Sequence, residues 1–242
     1  MIGIYHYVNK NDFEKHINHL LRTKKIVTIE EYLKKPEGSH VLTFDDGFKE
    51  QYTNAFPILK RKKLPAYFFP LTEPLENKVP YVFKQHIMLK INSEADRNKI
   101  NKSLKPFQSI IAKIPQSVKD RVLNSFIKKE NNICKSMFLE VKEMREMVEG
   151  GMIFGNHTHS HPFLSRLSSS KQFNEIKKSK NILEKELKTK INIFAYPYGD
   201  YNNLTLEILD TLMYRYAFAS NVKPNSNNFT IPREDILLGV EE

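Results

Sequence analysis

The sequence predicts an α/β fold, a parallel sheet closed or nearly closed into a (β/α) barrel, with a helical insertion at about residues 73–136. Three observations predict it. Short apolar runs alternate with helical patterns along most of the chain, the mark of strands joined by helical crossovers. About six such repeats favour a barrel over an open sheet. Polar residues of chemical interest follow three separate apolar runs, at Asp45-Asp46, at His157–His161 and at Pro197-Tyr198. The C-terminal mouth of a barrel would gather them. A chain of 242 residues is an ordinary length for one such domain spanning 1–242.

The elements follow in order. "IGIYHYV" reads as a strand. Residues 11–23 read as a helix, with Asp12 as N-cap before "FEKHINHLL". "HVLTFDD" is a strand running into two acids, with His40 in a turn before it. "EQYTNAFPILKRK" is helical, bent or restarted at Pro57. "PAYFFP" is a buried strand between prolines, and "FLEVKEMREMVEG" an amphipathic helix stopped by Gly150-Gly151. "MIFGNHTHSH" is a strand entering the histidines. Residues 168–189 form a long helix with Ser168 to Ser170 as cap candidates. "INIFAYPYG" is a strand and "NNLTLEILDTLM" a helix that Asp200 caps; "YAFAS" is the last strand, and "NFTIPRED" leads to the tail.

Between these, residues 73–136 break the rhythm. They carry thirteen Lys and Arg against six Asp and Glu, and no convincing strand. The net charge of the chain is +10. Such an excess suits a solvated surface, a phosphate-bearing substrate or peripheral contact with an anionic membrane face. No RNP, zinc-finger or helix-turn-helix pattern is present, so nucleic acid is not an expected partner. No apolar run reaches the length of a transmembrane segment. The start lacks a basic stretch followed by a long apolar one, and Cys134 is the single cysteine. Both lean toward a cytoplasmic location. The oligomeric state is not legible.

Two motifs carry chemistry. In "TFDDG", two acids end an apolar strand, where burial unpaired is expensive. Strand alternation sends the two carboxylates apart, so one can take a metal while the other stays free. Alone, the pair would more readily serve as a helix cap and a turn acid. In "HTHSH", His157 and His161 are four apart, close enough to converge on a helix face or in a tight loop. A carboxylate with two imidazoles is the donor set of a catalytic metal site, zinc by default, with cobalt, nickel, iron or manganese as alternatives.

The chain resembles the NodB-homology polysaccharide deacetylases, carbohydrate esterase family 4. Its motifs stand here in order as Thr43-Phe44-Asp45-Asp46-Gly47, as His157-Thr158-His159-Ser160-His161, and as Pro197-Tyr198 within "FAYPYG". The resemblance implies a distorted barrel of the NodB-homology type and a metal-dependent hydrolase that removes N-acetyl groups from an N-acetylated sugar. It implies Asp46, His157 and His161 as metal ligands, with metal-activated water attacking the amide carbonyl. Asp45 is then the general base and the Tyr198 backbone N–H, beside Pro197, an oxyanion donor. His159 falls in the variable slot of the motif and is not an expected ligand.

The departures from the family pattern are informative. Ala195 stands where the family has a base-orienting arginine, and the chain has no tryptophan and no histidine after His161. The usual general acid is therefore missing. His6, in "IYHYV", resembles the tyrosine-histidine pair of the circularly permuted poly-N-acetylglucosamine deacetylases and is the expected acid. Arg233 can stand in for the missing arginine by pairing with Asp45. The substrate is left open among polysaccharide, lipid-linked and nucleotide-linked sugars. A deformylase or O-acetyl esterase is the alternative within enzymes, and a non-catalytic sugar-binding module the alternative outside them.

Overall fold

The apolar runs become strands whose pairings are all parallel. The computed structural model describes residues 1–78, 80, 137–220, 222 and 227–236. Strands β1 (Ile2–Tyr5), β3 (Ser39–Asp46) and β4 (Tyr67–Pro70) are buried along their whole length, as strands covered on both faces must be. With β5 (Ile153–Phe154), β6 (Ile193–Ala195), β7 (Tyr216–Ser220) and β8 (Ile231–Asp235) they run in the order β5-β4-β3-β1-β8-β7-β6. Short β2 (Lys25–Ile26) lies beside the start of β3. A parallel bridge between Asn156 and Phe194 joins the two ends of this order and nearly closes the barrel.

The helices form where caps and amphipathic runs coincide. They are α1 (Lys10–Thr23), α2 (Ile29–Lys34), α3 (Phe56–Lys62), α4 (Val141–Glu149), α5 (Ser169–Leu187) and α6 (Asn203–Thr211). Thr28 and Glu31 close a capping box on α2. A π-type turn, Gln51–Ala55, precedes α3, which restarts at Pro57 as the sequence suggests. None of the described helices is long and apolar enough to cross a membrane.

Strand alternation separates two cores. Leu42, Phe44, Phe68 and Phe194 face outward toward the helices, with Phe44 stacked on Phe68 at 4.6 Å. Ile2, Val41, Tyr67, Phe69, Ile193, Ala195, Phe218 and Ile231 form the second cluster, lining the barrel. Two residues beyond Val41 and Ile231, the same face carries Thr43 and Arg233, which share a hydrogen bond of 3.0 Å. Asp45 tops this column. The apolar lumen thus ends in a polar layer at the C-terminal rim, where β/α barrels build their sites.

Several expectations are corrected. "IPRED" is β8, paired with β1 and β7, rather than a tail; Pro232 and the charges of Arg233, Glu234 and Asp235 mask its pattern. Asn9, not Asp12, caps α1, accepting from the N–H groups of Asn11 and Asp12. Asn202, not Asp200, caps α6, while Asp200 accepts from the Ser165 N–H and hydroxyl. His40 lies inside β3 and is buried, rather than in a turn. β2 and α2 carry no signal in the sequence reading, being two and six residues long. Of the proposed insertion, Glu73–Glu76 form a 3-10 turn; residues 79 and 81–136, His86 and Cys134 among them, lie outside the described residues.

Candidate active site

Asp45 and Asp46 leave β3 in different directions and into different electrostatic surroundings. Asp45 keeps the strand alternation and points to Arg233, whose guanidinium grips it in fork geometry: Nη1 to Oδ1 at 2.8 Å and Nη2 to Oδ2 at 2.5 Å. Phe69 and Phe218 flank the guanidinium, 5.5 and 5.8 Å from their ring centres. Burial alone would raise the Asp45 carboxyl. The Arg233 charge, then His157 and the hydrogen bonds from Arg233, outweigh it and hold Asp45 at about 2. Arg233 thus reaches the acid from β8. β8 can supply it because it pairs with β1, which pairs with β3.

Asp46 ends the strand. Its φ is 71° and that of Gly47 is 74°; a Cβ on Gly47 would lie 2.7 Å from Pro70. Asp46 is buried, and its Oδ1 has no hydrogen-bond partner among the described residues. Burial and the neighbouring Asp45 charge push its carboxyl well above the usual range. An unpaired buried carboxylate oxygen of this kind asks for a cation.

Two imidazoles converge on that oxygen. His157 Nε2 lies 3.6 Å and His161 Nε2 3.5 Å from Asp46 Oδ1. The His157 ring is oriented from behind, its Nδ1–H donating to the Ala195 carbonyl at 2.7 Å. A carbonyl only accepts, so the proton sits on Nδ1 and the Nε2 lone pair faces the cluster. Burial holds His157 at about 4, and burial with His157 as neighbour holds His161 at about 3, so both are neutral at pH 7. The loop that brings them together is strained: Thr158 has φ 70° and His161 φ 63°, a region that costs a non-glycine residue free energy and must be held by its surroundings.

The set fits a metal ion. Donor atoms of Asp46, His157 and His161 lie within 4.8 Å of one another. Around a tetrahedral zinc with bonds of ~2.0–2.2 Å, neighbouring donors stand roughly 3.3–3.6 Å apart. The two histidine-to-carboxylate distances match that spacing. His159 is turned elsewhere, its ring bonded to Thr72 and Lys178.

The remaining expected residues ring the mouth. His6 follows β1 with its side chain 43% exposed, 3.8 Å from Asp235. Tyr198, at φ 58°, lies edge-on to His161 at 4.5 Å and stacks on Phe163 at 4.0 Å. Pro197 begins its turn and is buried. Sequence reasoning missed Gln51 and Asn156. The Gln51 amide donates to the carbonyls of Asp45 and His6 at 2.5 and 3.2 Å, tying the ends of β3 and β1 together. Asn156 accepts from the Thr158 N–H at 2.7 Å at the barrel seam. A glutamine in a helical run gives no signal for such a role; Asn156 stood one residue from the histidines and was the legible one.

A β/α barrel with a candidate metal centre at its rim and an arginine-held acid beside it is a hydrolase-type architecture. The chain belongs to the polysaccharide deacetylase family, whose profile matches residues 33–217. That match includes all three motifs but neither His6 nor Arg233, which lie outside it at opposite ends of the chain. The chain is 26% identical over 245 residues to a poly-beta-1,6-N-acetyl-D-glucosamine N-deacetylase of Staphylococcus aureus (strain MRSA252). That alignment covers 93% of this chain and 66% of the relative, so the chain spans just under two thirds of that protein's length. Its fold is similar to that of IcaB from Ammonifex degensii, with TM-score 0.67, 19% identity, and coverage of 98% of this chain and 91% of that one. It is also similar to the Streptococcus pyogenes deacetylase PplD in complex with acetate, with TM-score 0.64, 22% identity and the same coverages of 98% and 91%.

Proposed function

We propose that the chain is a metal-dependent hydrolase that removes N-acetyl groups from N-acetylglucosamine units of a polysaccharide. The observation that carries this reading is the division of labour between adjacent aspartates. Asp45 is kept ionised by Arg233, while Asp46 faces two neutral imidazoles with an oxygen unpaired among the described residues. A sugar-binding module has no use for a charged, oriented acid beside a metal cluster. The choice of a polysaccharide over a small carrier-linked sugar is supported by family membership and by the poly-beta-1,6-N-acetyl-D-glucosamine N-deacetylase name of the staphylococcal relative.

Asp46, His157 and His161 would hold the metal. A divalent ion there would polarise the acetamide carbonyl and acidify a bound water. Asp45 accepts the water's proton, and Arg233 keeps its oxygens aimed. The Tyr198 N–H donates to the oxygen of the tetrahedral intermediate. His6 protonates the departing nitrogen, because an amide anion is too basic to leave. Water and the acetamide become acetate and a free amine.

The test measures acetate released from N-acetylglucosamine oligomers and O-acetyl sugars, and formate released from N-formyl sugars, by chelated and metal-reloaded protein. Metal-restored acetate release from the N-acetyl oligomers is expected. Preferential release from the N-formyl or O-acetyl sugars moves the assignment to a deformylase or esterase. Binding without release from any of them overturns the enzyme reading.

A further inference from the structure

His159 is the histidine that the cluster leaves out, yet each of its polar groups is engaged. Its N–H donates to Glu175 Oε2 at 3.0 Å, and its carbonyl accepts from the Glu73 N–H at 2.9 Å. Its ring bridges Thr72 Oγ1 and Lys178 Nζ, each at 2.9 Å. An ammonium only donates, so Nε2 accepts from Lys178 and Nδ1 carries the proton toward Thr72. His159 and Thr72 are both buried.

Thr72 sits on the segment that leaves β4, and that segment also touches Asp46. Pro70 is the register partner of Asp46, and the Leu71 N–H reaches the Asp46 carbonyl at 3.5 Å. Residues 70–73 therefore contact Asp46 at one end and His159 at the other. These are the two halves of the cluster: Asp46 from β3, and His157 and His161 from the loop after β5. Left-handed backbone at Thr158 and His161 takes the histidine half out of the sheet ladder, and Asp46, at φ 71°, ends its own strand. Beyond the backbone bond from Glu73 to His159, side-chain bonds hold their spacing.

We infer that His159 is a positioning residue: through Thr72 it sets the distance between Asp46 and the two histidines, and with it the affinity for the metal. The inference rests on reading Asp46, His157 and His161 as metal ligands. The loop has a separate anchor, since Glu175 also accepts from the Ser160 N–H at 2.9 Å and its hydroxyl at 2.8 Å. Loss of the His159–Thr72 bond can thus loosen the spacing without unfolding the loop.

The experiment titrates chelated protein with Zn2+ against a competing chelator, and with Co2+ by its visible absorption. Four proteins are compared: wild type, Thr72→Val, His159→Gln and His159→Asn. Outer bonds of this kind tune metal affinity by roughly 10–100-fold. Thr72→Val is close to isosteric, and His159→Gln loses the donor facing Thr72. Both should weaken binding by that amount and alter the Co2+ spectrum, beyond what the modest fall in metal-free melting temperature from losing one buried bond explains. His159→Asn keeps a donor near Nδ1 and should stay close to wild type. Wild-type affinity in Thr72→Val and His159→Gln overturns the inference. So does an equal loss in His159→Asn, or a fall in metal-free melting temperature that accounts for the weakening. A wild type that binds neither ion fails the metal reading itself, which is a separate outcome.

Discussion

Arg233→Met removes the guanidinium and keeps much of the apolar stem between Phe69 and Phe218. It leaves Asp45 buried without the two charge-assisted bonds at 2.8 and 2.5 Å. Breaking a buried pair by deleting one partner costs about 3–5 kcal/mol. A lower figure follows from linkage. A carboxyl moved from 3.8 to about 2 on folding contributes roughly 2 kcal/mol at neutral pH, at ~1.4 kcal/mol per unit. The sign is that of a depressed acid: the contribution is complete above the unfolded value near pH 4 and is lost as pH falls toward 2. In the variant burial outweighs what His157 still offers, which raises the carboxyl and makes neutral pH the least favourable condition. Urea unfolding of chelated protein between pH 4 and 7.5, followed by circular dichroism, measures both. The variant should be about 3–5 kcal/mol less stable at pH 7, with the gap narrowing toward pH 4. A variant within ~0.5 kcal/mol of wild type across that range, the scatter of ordinary surface substitutions, would refute the claim that Arg233 holds Asp45 ionised.

Three further outcomes are expected. Asp46→Asn should abolish metal binding while leaving metal-free protein as stable or more so by ~1 kcal/mol at pH 7, because a buried carboxyl that burial and Asp45 disfavour is replaced by a neutral amide; a lower melting temperature would contradict this. His40, held at about 4 by burial and the N-terminal ammonium, should make stability fall as pH drops from 6.5 toward 4. An unfolded histidine takes its proton first, so the loss reaches ~3 kcal/mol, and His40→Gln should flatten that slope; parallel slopes rule it out. His6→Ala should lower kcat by ~10²–10⁴ with metal content and melting temperature unchanged, and a fully active variant removes His6 from the acid role.

Much of the barrel was readable because its physics is local. Apolar runs such as "PAYFFP" and "YAFAS" have only one way to bury both faces, and they are β4 and β7. β8 was not readable, because its inward face is Ile231 and Arg233, and an arginine in the lumen makes sense only once Asp45 is across from it. The same holds at the site. Asp45, Asp46, His157 and His161 announce themselves by type and spacing, and the structure gathers them. The direction of each carboxylate depends on a left-handed turn at Asp46, which the following Gly47 only hints at. His159 shows the limit most clearly. Motif spacing says that it is not an expected ligand but is silent about Thr72 and Lys178, which lie far away in sequence.

The central claim is that Asp46 serves the metal and Asp45 the proton. Zinc content and acetate release from N-acetylglucosamine oligomers, measured together on wild type and Asp45→Asn, test it most directly. Asp45→Asn should hold one zinc per chain and release acetate at least ~10²-fold more slowly. A variant that turns over at the wild-type rate, or that loses its zinc along with its activity, would contradict it.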